Sequence, residues 1–194
     1  MTSDLIVAAD GNARCGWCEP HDDYRHYHDF EWGVAPTHDL EWFEKVSLEG
    51  FQAGLSWITI LRRRDRFREV FEGFDPYAVV RFGDAEVTRL LGDAGIIRHE
   101  GKSRAVIHNA ARAIELLDEV GTLGAYFERF REPEVHAPRA LSEVPAATPT
   151  STQLSRDLRR RGWKFVGPTT MYAMGQSMGL VNDHLVGCWR RDIN

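Results

Sequence analysis

The chain has 194 residues, 43% of them apolar and 27% charged, with 24 Lys and Arg against 29 Asp and Glu for a formal charge of −5. That length can bury one full hydrophobic core without disulfide staples and leaves little room for a second, and the composition excludes a disordered or collagen-like chain. The acidic balance argues against indiscriminate nucleic-acid binding, although steering depends on where charges sit rather than on their sum.

No apolar run approaches the roughly 18 residues that a membrane-spanning helix needs, and the first ten residues carry neither a basic region nor an apolar stretch long enough for secretion. The expectation is a cytoplasmic protein with no membrane partner. Residues 1–13 show no periodicity and read as a flexible leader to a single domain over residues 14–194.

From Thr37 onward apolar residues recur at helical spacing through Leu40, Phe43, Val46, Phe51 and Leu55, with Thr37 or Asp39 as the N-cap. A second helical run passes through Trp57, Ile60, Leu61, Phe67 and Phe71 and is ended by the breaker from Gly73 to Pro76. A short helix near Glu86–Leu91, a turn around Gly95 and a longer helix over about Lys102–Leu117 follow. Residues 133–149 hold four of the eight prolines and predict an irregular connection. Helices resume over about Ser151–Arg161 and Thr169–Met178, the latter with Pro168 suited to its first turn. Strand signals are nearly absent, the Asp10-Gly11 pair having no β-branched runs beside it, so the fold class is mostly α.

Three clusters carry chemistry. Cys15 and His28 near one end, with His184 and Cys188 near the other, supply the soft thiolate and imidazole ligands of tetrahedral zinc, the latter pair one helical turn apart. Four protein ligands would close the coordination sphere, so such a site is structural and not hydrolytic. The same residues could be buried thiols and ordinary histidines, and Cys15-x2-Cys18 is itself a metal-like pair in which Cys18 could replace His28 or His26.

The second cluster is aromatic and acidic: Trp17, Tyr24, Tyr27, Trp32 and Trp57, with Glu49. On an unbroken helix Glu49, Ala53 and Trp57 would share a face. A carboxylate in a ring-walled pocket is costly unless paired or protonated, and a cationic aromatic ligand would satisfy it by hydrogen bonds and stacking. Plain core packing is the alternative, against which Gly50, Ala53 and Gly54 mark a close approach of some other group. The third cluster, Leu90 to Lys102, places a glycine turn at a helix N-terminus beside Arg98 and Lys102, a cradle for phosphate or simply a helix corner. The basic runs Arg62–Arg68 and Arg159–Lys164 read as solvated helix faces.

Taken together, Arg14-Cys-Gly-Trp17, Tyr27-His-Asp-Phe-Glu-Trp-Gly-Val34, the segment Leu48–Thr59, Asp93–Lys102, Arg161–Gly167 and Gly179-Leu-Val-Asn-Asp-His184 with Cys188 resemble the 3-methyladenine DNA glycosylase I family. The resemblance implies a helix-hairpin-helix DNA glycosylase fold, its hairpin at about 86–117, and a zinc snap joining segments 14–34 and 180–190. The implied ligands of a structural Zn2+ are Cys15, His28, His184 and Cys188, leaving Cys18 a bystander. Glu49 would be the catalytic and base-binding carboxylate, with Trp57, Tyr27, Trp32, Tyr24 and Trp17 around the flipped base. Gly54, Leu55, Gly95, Arg98 and Lys102 would contact DNA, with Leu55 filling the stack. Two departures stand out: the longer leader, and Phe51 where a polar residue is common.

The implied activity is hydrolytic release of 3-methyladenine from alkylated double-stranded DNA by a monomer, the free base being the product. No counterpart of the superfamily's catalytic Asp is evident. Lys45, Lys102 and Lys164 all fall outside the pocket motifs, so lyase activity is not expected. A non-catalytic reader of methylated purines and a hydrolytic metalloenzyme are the competing functions.

Overall fold

Helical periodicity resolves into ten α-helices among residues 4–19, 21–133 and 137–193, which the computed structural model describes. In order they are α1 Asp22–Phe30, α2 Asp39–Gln52, α3 Trp57–Leu61, α4 Arg64–Val70, α5 Pro76–Val79, α6 Asp84–Gly92, α7 Glu100–Val120, α8 Leu123–Phe127, α9 Pro149–Arg160 and α10 Pro168–Ser177. Within 133–149, residues 134–136 lie outside the described residues, and the rest is irregular apart from a 3-10 turn at Leu141–Glu143.

The leader is corrected. Residues 1–3 lie outside the described residues, but Leu5–Val7 (β1) pairs antiparallel with Ala13–Cys15 (β2), Leu5 opposite Cys15. Asp10-Gly11 is the turn of this hairpin: Gly11 takes φ +81 and Ala8 N donates to Asn12 O at 3.1 Å. The sequence signal fails because the strands are only three residues long and lack β-branched alternation. The hairpin carries Cys15 into the interior and packs Leu5 against Cys15, Leu185 and Cys188.

Helix α2 runs through the centre, burying Trp42, Phe43, Val46, Leu48 and Phe51 against α7, α8 and α10. A series of phenylalanines fills the space beside it: the Phe51 and Phe67 rings lie 4.6 Å apart and the Phe71 and Phe74 rings 5.5 Å apart. Each such ring removed from water contributes about 1.5–3 kcal/mol. Phe51, the departure from the family pattern, is therefore a core residue. His38 and not Thr37 or Asp39 is the N-cap of α2; the Glu41 carboxylate accepts from His38 N at 3.0 Å. Asp39 is committed elsewhere, accepting from Leu123 N and Gly124 N at 3.0 and 3.1 Å and so closing the start of α8.

The run predicted as one helix through Phe71 is two, α3 and α4, and its arginines stitch elements together. Arg62 pairs with Asp23, Arg64 with Glu31, Arg66 with Asp93 and Arg68 with Glu44. Helices α6 and α7 form the expected hairpin around Gly95, whose N–H donates to Asp93 Oδ1 at 2.7 Å. A Cβ at Gly95 would meet Arg66 Cγ at 2.7 Å, so this turn needs glycine to let the Arg66 clamp lie across it. The close approach expected near Gly50 is made by the chain itself: a Cβ there would meet Phe165 Cβ at 3.3 Å.

Candidate base pocket and metal cluster

Helix α2 does not continue to Trp57. It ends at Gln52, Ala53 turns extended and Gly54 takes φ +84, so the shared helical face proposed for Glu49, Ala53 and Trp57 does not form. Glu49 and Trp57 nonetheless meet, because the chain reverses through residues 53–56 and Trp57 opens α3. They line one cavity of about 310 Å3 together with Trp17, Tyr24, Tyr27 and Trp32. Tyr24 and Tyr27 stand three residues apart on one face of α1. Trp17 comes from the 3-10 turn at Gly16–Cys18, and its ring centroid lies 5.0 Å from those of both Tyr24 and Trp32. The Tyr27 and Trp57 rings are 5.4 Å apart.

Glu49 is 4% exposed. Lys45, one turn earlier and missed as a neighbour by the sequence reading, places Nζ 3.1 Å from Glu49 Oε1. The same ammonium donates to Tyr27 Oη at 2.9 Å and lies 3.4 Å from the Trp57 ring centroid. Burial pushes the Glu49 pKa up, and the Lys45 charge and hydrogen bond oppose it. Burial pushes Lys45 down, and Glu49 opposes that in turn. Burial also pushes the Tyr24 hydroxyl up to about 12 and Tyr27 well above its ordinary value, so both remain hydrogen-bond donors.

Gln52, Gln176 and Asp183 also line the cavity and were missed. Asp183 Oδ2 accepts from the Tyr172 hydroxyl and, at 2.9 Å, from Gln176 Nε2, while Oδ1 is buried without a hydrogen-bond partner among the described residues. The signal for Asp183 was its place in Gly179–His184; nothing marked Gln176, which only the packing of α10 brings to the wall.

Cys15, His28, His184 and Cys188 are all buried, with ligand atoms within 4.8 Å of one another. Cys188 Sγ lies 3.4 Å from His28 Nε2 and 3.6 Å from His184 Nδ1, and Cys15 Sγ lies 3.9 Å from His184 Nδ1. These spacings are close to the edges of a tetrahedron with metal–sulfur bonds of about 2.3 Å and metal–nitrogen bonds of about 2.0 Å. Asp29 Oδ1 lies 2.8 Å from His28 Nδ1, and Arg14 Nε donates to the same carboxylate at 2.9 Å. Such a partner fixes which imidazole nitrogen is free to ligate. The donor set and geometry fit a metal ion. Cys18 is buried but outside the cluster, and the exposed His26 packs on Phe30 instead.

Of the residues read as DNA contacts, Gly54, Leu55 and Arg98 are exposed and Gly95 is half-buried. Lys102 is a correction. It is 7% exposed and its Nζ donates to Phe51 O at 2.9 Å and Ala53 O at 2.7 Å, closing the C-terminus of α2 where carbonyls lack helical partners. A basic residue at a hairpin was read as a phosphate ligand because sequence does not show that a helix end lies beneath it.

A mostly helical chain with a helix-hairpin-helix and a purine-sized cavity walled by rings around a carboxylate has the form of a DNA base-excision glycosylase. The methyladenine glycosylase family model matches residues 17–191. The chain is 45% identical to DNA-3-methyladenine glycosylase 1 of Escherichia coli, covering 90% of this chain and 95% of that one. It is 40% identical to DNA-3-methyladenine glycosylase of Haemophilus influenzae, covering 90% and 96%. A solved structure of 3-methyladenine DNA glycosylase I from Staphylococcus aureus superposes with a TM-score of 0.87 at 28% identity, covering 92% of this chain and 96% of that one. The chain belongs to the methyladenine glycosylase family.

Proposed function

We infer that this protein excises 3-methyladenine from alkylated double-stranded DNA as a base-excision repair glycosylase. The single observation that carries the reading is the Glu49 carboxylate buried in a cavity lined by Trp17, Tyr24, Tyr27, Trp32 and Trp57. An adenine methylated at N3 is positively charged while still attached to its sugar, so its glycosidic bond is already weak and the protein's task is extrusion and recognition. Flipping costs a few kcal/mol, and stacking on aromatic rings returns about 1–3 kcal/mol per base. Glu49 accepts hydrogen bonds from the exocyclic amine and ring edge, and its charge prefers the cationic base to neutral adenine. As the bond from the sugar carbon to N9 breaks, its electron pair neutralises the base; water adds to that carbon and loses a proton to solvent.

The reading includes no lyase step, and the surroundings of Lys45 support that. Lys45 is adjacent to the pocket, but its amine is engaged by Glu49, Tyr27 and Trp57, and no lysine lines the base cavity among the described residues. In this reading Leu55, on the turn after α2, fills the gap the base leaves, while Gly54, Gly95 and Arg98 meet the DNA backbone; the exposure of Gly54, Leu55 and Arg98 supports it. Cys15, His28, His184 and Cys188 would hold Zn2+, which supplies a cross-link between the two chain ends and no reactive position. Three free buried cysteines suit a reducing cytoplasm, and no helix among the described residues is long and apolar enough to cross a membrane. We propose a monomer as the active unit.

The test is release of free base from methylated duplex DNA, with Glu49→Gln as the control. Release above an enzyme-free blank, lost in a folded Glu49→Gln variant, is expected. A blank-level result with the native chain would reduce it to a reader of methylated purines, and full turnover in the variant would remove Glu49 from the chemistry.

A further inference from the structure

Lys45 sits behind the recognition carboxylate. It is 7% exposed and does not line the base cavity; it borders a neighbouring cavity of about 220 Å3 that shares Tyr27, Trp57 and Ser177 with it. An ammonium has three donors. One points to Glu49 Oε1 at 3.1 Å, one to Tyr27 Oη at 2.9 Å, and the charge rests 3.4 Å from the Trp57 ring centroid. Each of these polar and ring contacts is to a residue that lines the base cavity.

We propose that Lys45 is a positioning residue for base recognition: its ammonium keeps the Glu49 carboxylate ionised and holds it, with Tyr27 and Trp57, in place at the pocket wall. The proposal rests on the reading of Glu49 as the group that meets the base. A carboxyl group enclosed by rings and deprived of water takes up a proton unless a cation stands beside it. Protonated, Glu49 would lose the charge that distinguishes a cationic base from adenine.

The other groups facing Glu49 do not supply that cation. From α1 come Tyr24 and Tyr27, held neutral by burial. Arg64 of α4 bears on Lys45 and Tyr27 and is bound to Glu31 by two hydrogen bonds. From the C-terminal segment comes Asp183, another acid, which accepts from Tyr172 and Gln176. Lys45 alone on α2 is both cationic and within hydrogen-bonding range of Glu49 among the described residues.

The experiment is the pH profile of kcat/KM for 3-methyladenine release, over roughly pH 5 to 9, in the native chain, Lys45→Met and Lys45→Arg. Loss of an adjacent opposite charge raises a carboxyl pKa by about 1–3 units. In Lys45→Met the acid limb should therefore move up by at least about one unit, with roughly ten-fold loss on that limb and recovery to within a few-fold at the alkaline end. Lys45→Arg should keep the native limb. An unmoved limb, or a uniform loss at every pH, overturns the proposal. Should Lys45→Met fail to fold, the 13C shift of the Glu49 carboxyl in the native chain, assigned with Glu49→Gln, decides the matter: an ionised carboxylate at pH 7 is expected, and a protonated one refutes the assignment. This last measurement needs no turnover, so it separates an error about Lys45 from an error about the activity.

Discussion

Replacing Lys102 by Met separates two roles that predict opposite results. In the structure its ammonium donates to Phe51 O at 2.9 Å and Ala53 O at 2.7 Å. Phe51 lies in the last turn of α2 and Ala53 is its C-cap, where carbonyls otherwise lack partners. A hydrogen bond to a charged group contributes about 1.5–3 kcal/mol, and the carbonyl left behind in a buried place adds its desolvation. Met keeps the aliphatic stem, so the loss is confined to these two bonds and should amount to about 3–6 kcal/mol. For a domain of this size each kcal/mol moves Tm by about 2–4 °C, giving a fall on the order of 6–24 °C by calorimetry. A phosphate contact behaves differently: its loss leaves stability alone and reduces the slope of log K against log salt by about one. We expect a lower Tm and an unchanged salt slope. An unchanged Tm with a shallower slope would refute the capping role and restore Lys102 to the DNA interface.

Gly179 takes φ +71, and a Cβ on it would lie 2.6 Å from Gly33 O, a backbone atom that cannot swing away. Gly179→Ala should thus cost about 3 kcal/mol or more, read as a fall in denaturation midpoint, since strain and clash add; a midpoint within error of the native chain would contradict the close approach. Leu55 is 42% exposed and belongs to neither core cluster of the described residues, so Leu55→Ala should leave Tm within about 1 °C while base release from duplex DNA falls sharply and binding of the free base survives. Equal loss of both would mean that Leu55 shapes the pocket. Removing metal with a chelator, or Cys188→Ser, should lower Tm before it lowers turnover at moderate temperature; inactivation at unchanged Tm would mark the cluster as catalytic.

Most of the helical framework was legible because its signals are local. The periodicity of α2, α6, α7, α9 and α10 shows in single windows of sequence, and proline or glycine marks several ends. What escaped was set by partners distant in the chain. The β1–β2 hairpin is too short for a period-two pattern, and its pairing is rewarded by Leu5 packing onto Cys15, Leu185 and Cys188, which a window over residues 5–15 does not contain. The N-cap of α2 was misassigned because Asp39, the better capper by type, is drawn away by the amides of α8.

The pocket shows the same division more sharply. Trp17, Tyr24, Tyr27, Trp32, Glu49 and Trp57 were chosen by residue type and motif, and they share one cavity. Lys45 was set aside because it lies outside the motif, yet it is the nearest cation to Glu49. One helical turn of separation was sufficient to place it there, but spacing alone does not say whether such a pair is solvated or enclosed, and only enclosure makes the counter-ion necessary. The metal cluster adds a second coupling that no single segment records. The His184 ring lies 4.5 Å from that of Trp32 and the His28 ring 5.3 Å from that of Trp17. Two of the six pocket residues therefore lean on imidazoles whose orientation a bound metal would fix, and Asp183, beside His184, reaches the cavity from the other chain end. The base pocket is thus built from segments near both ends of the chain, and a metal held at that junction would brace its wall as well as the fold.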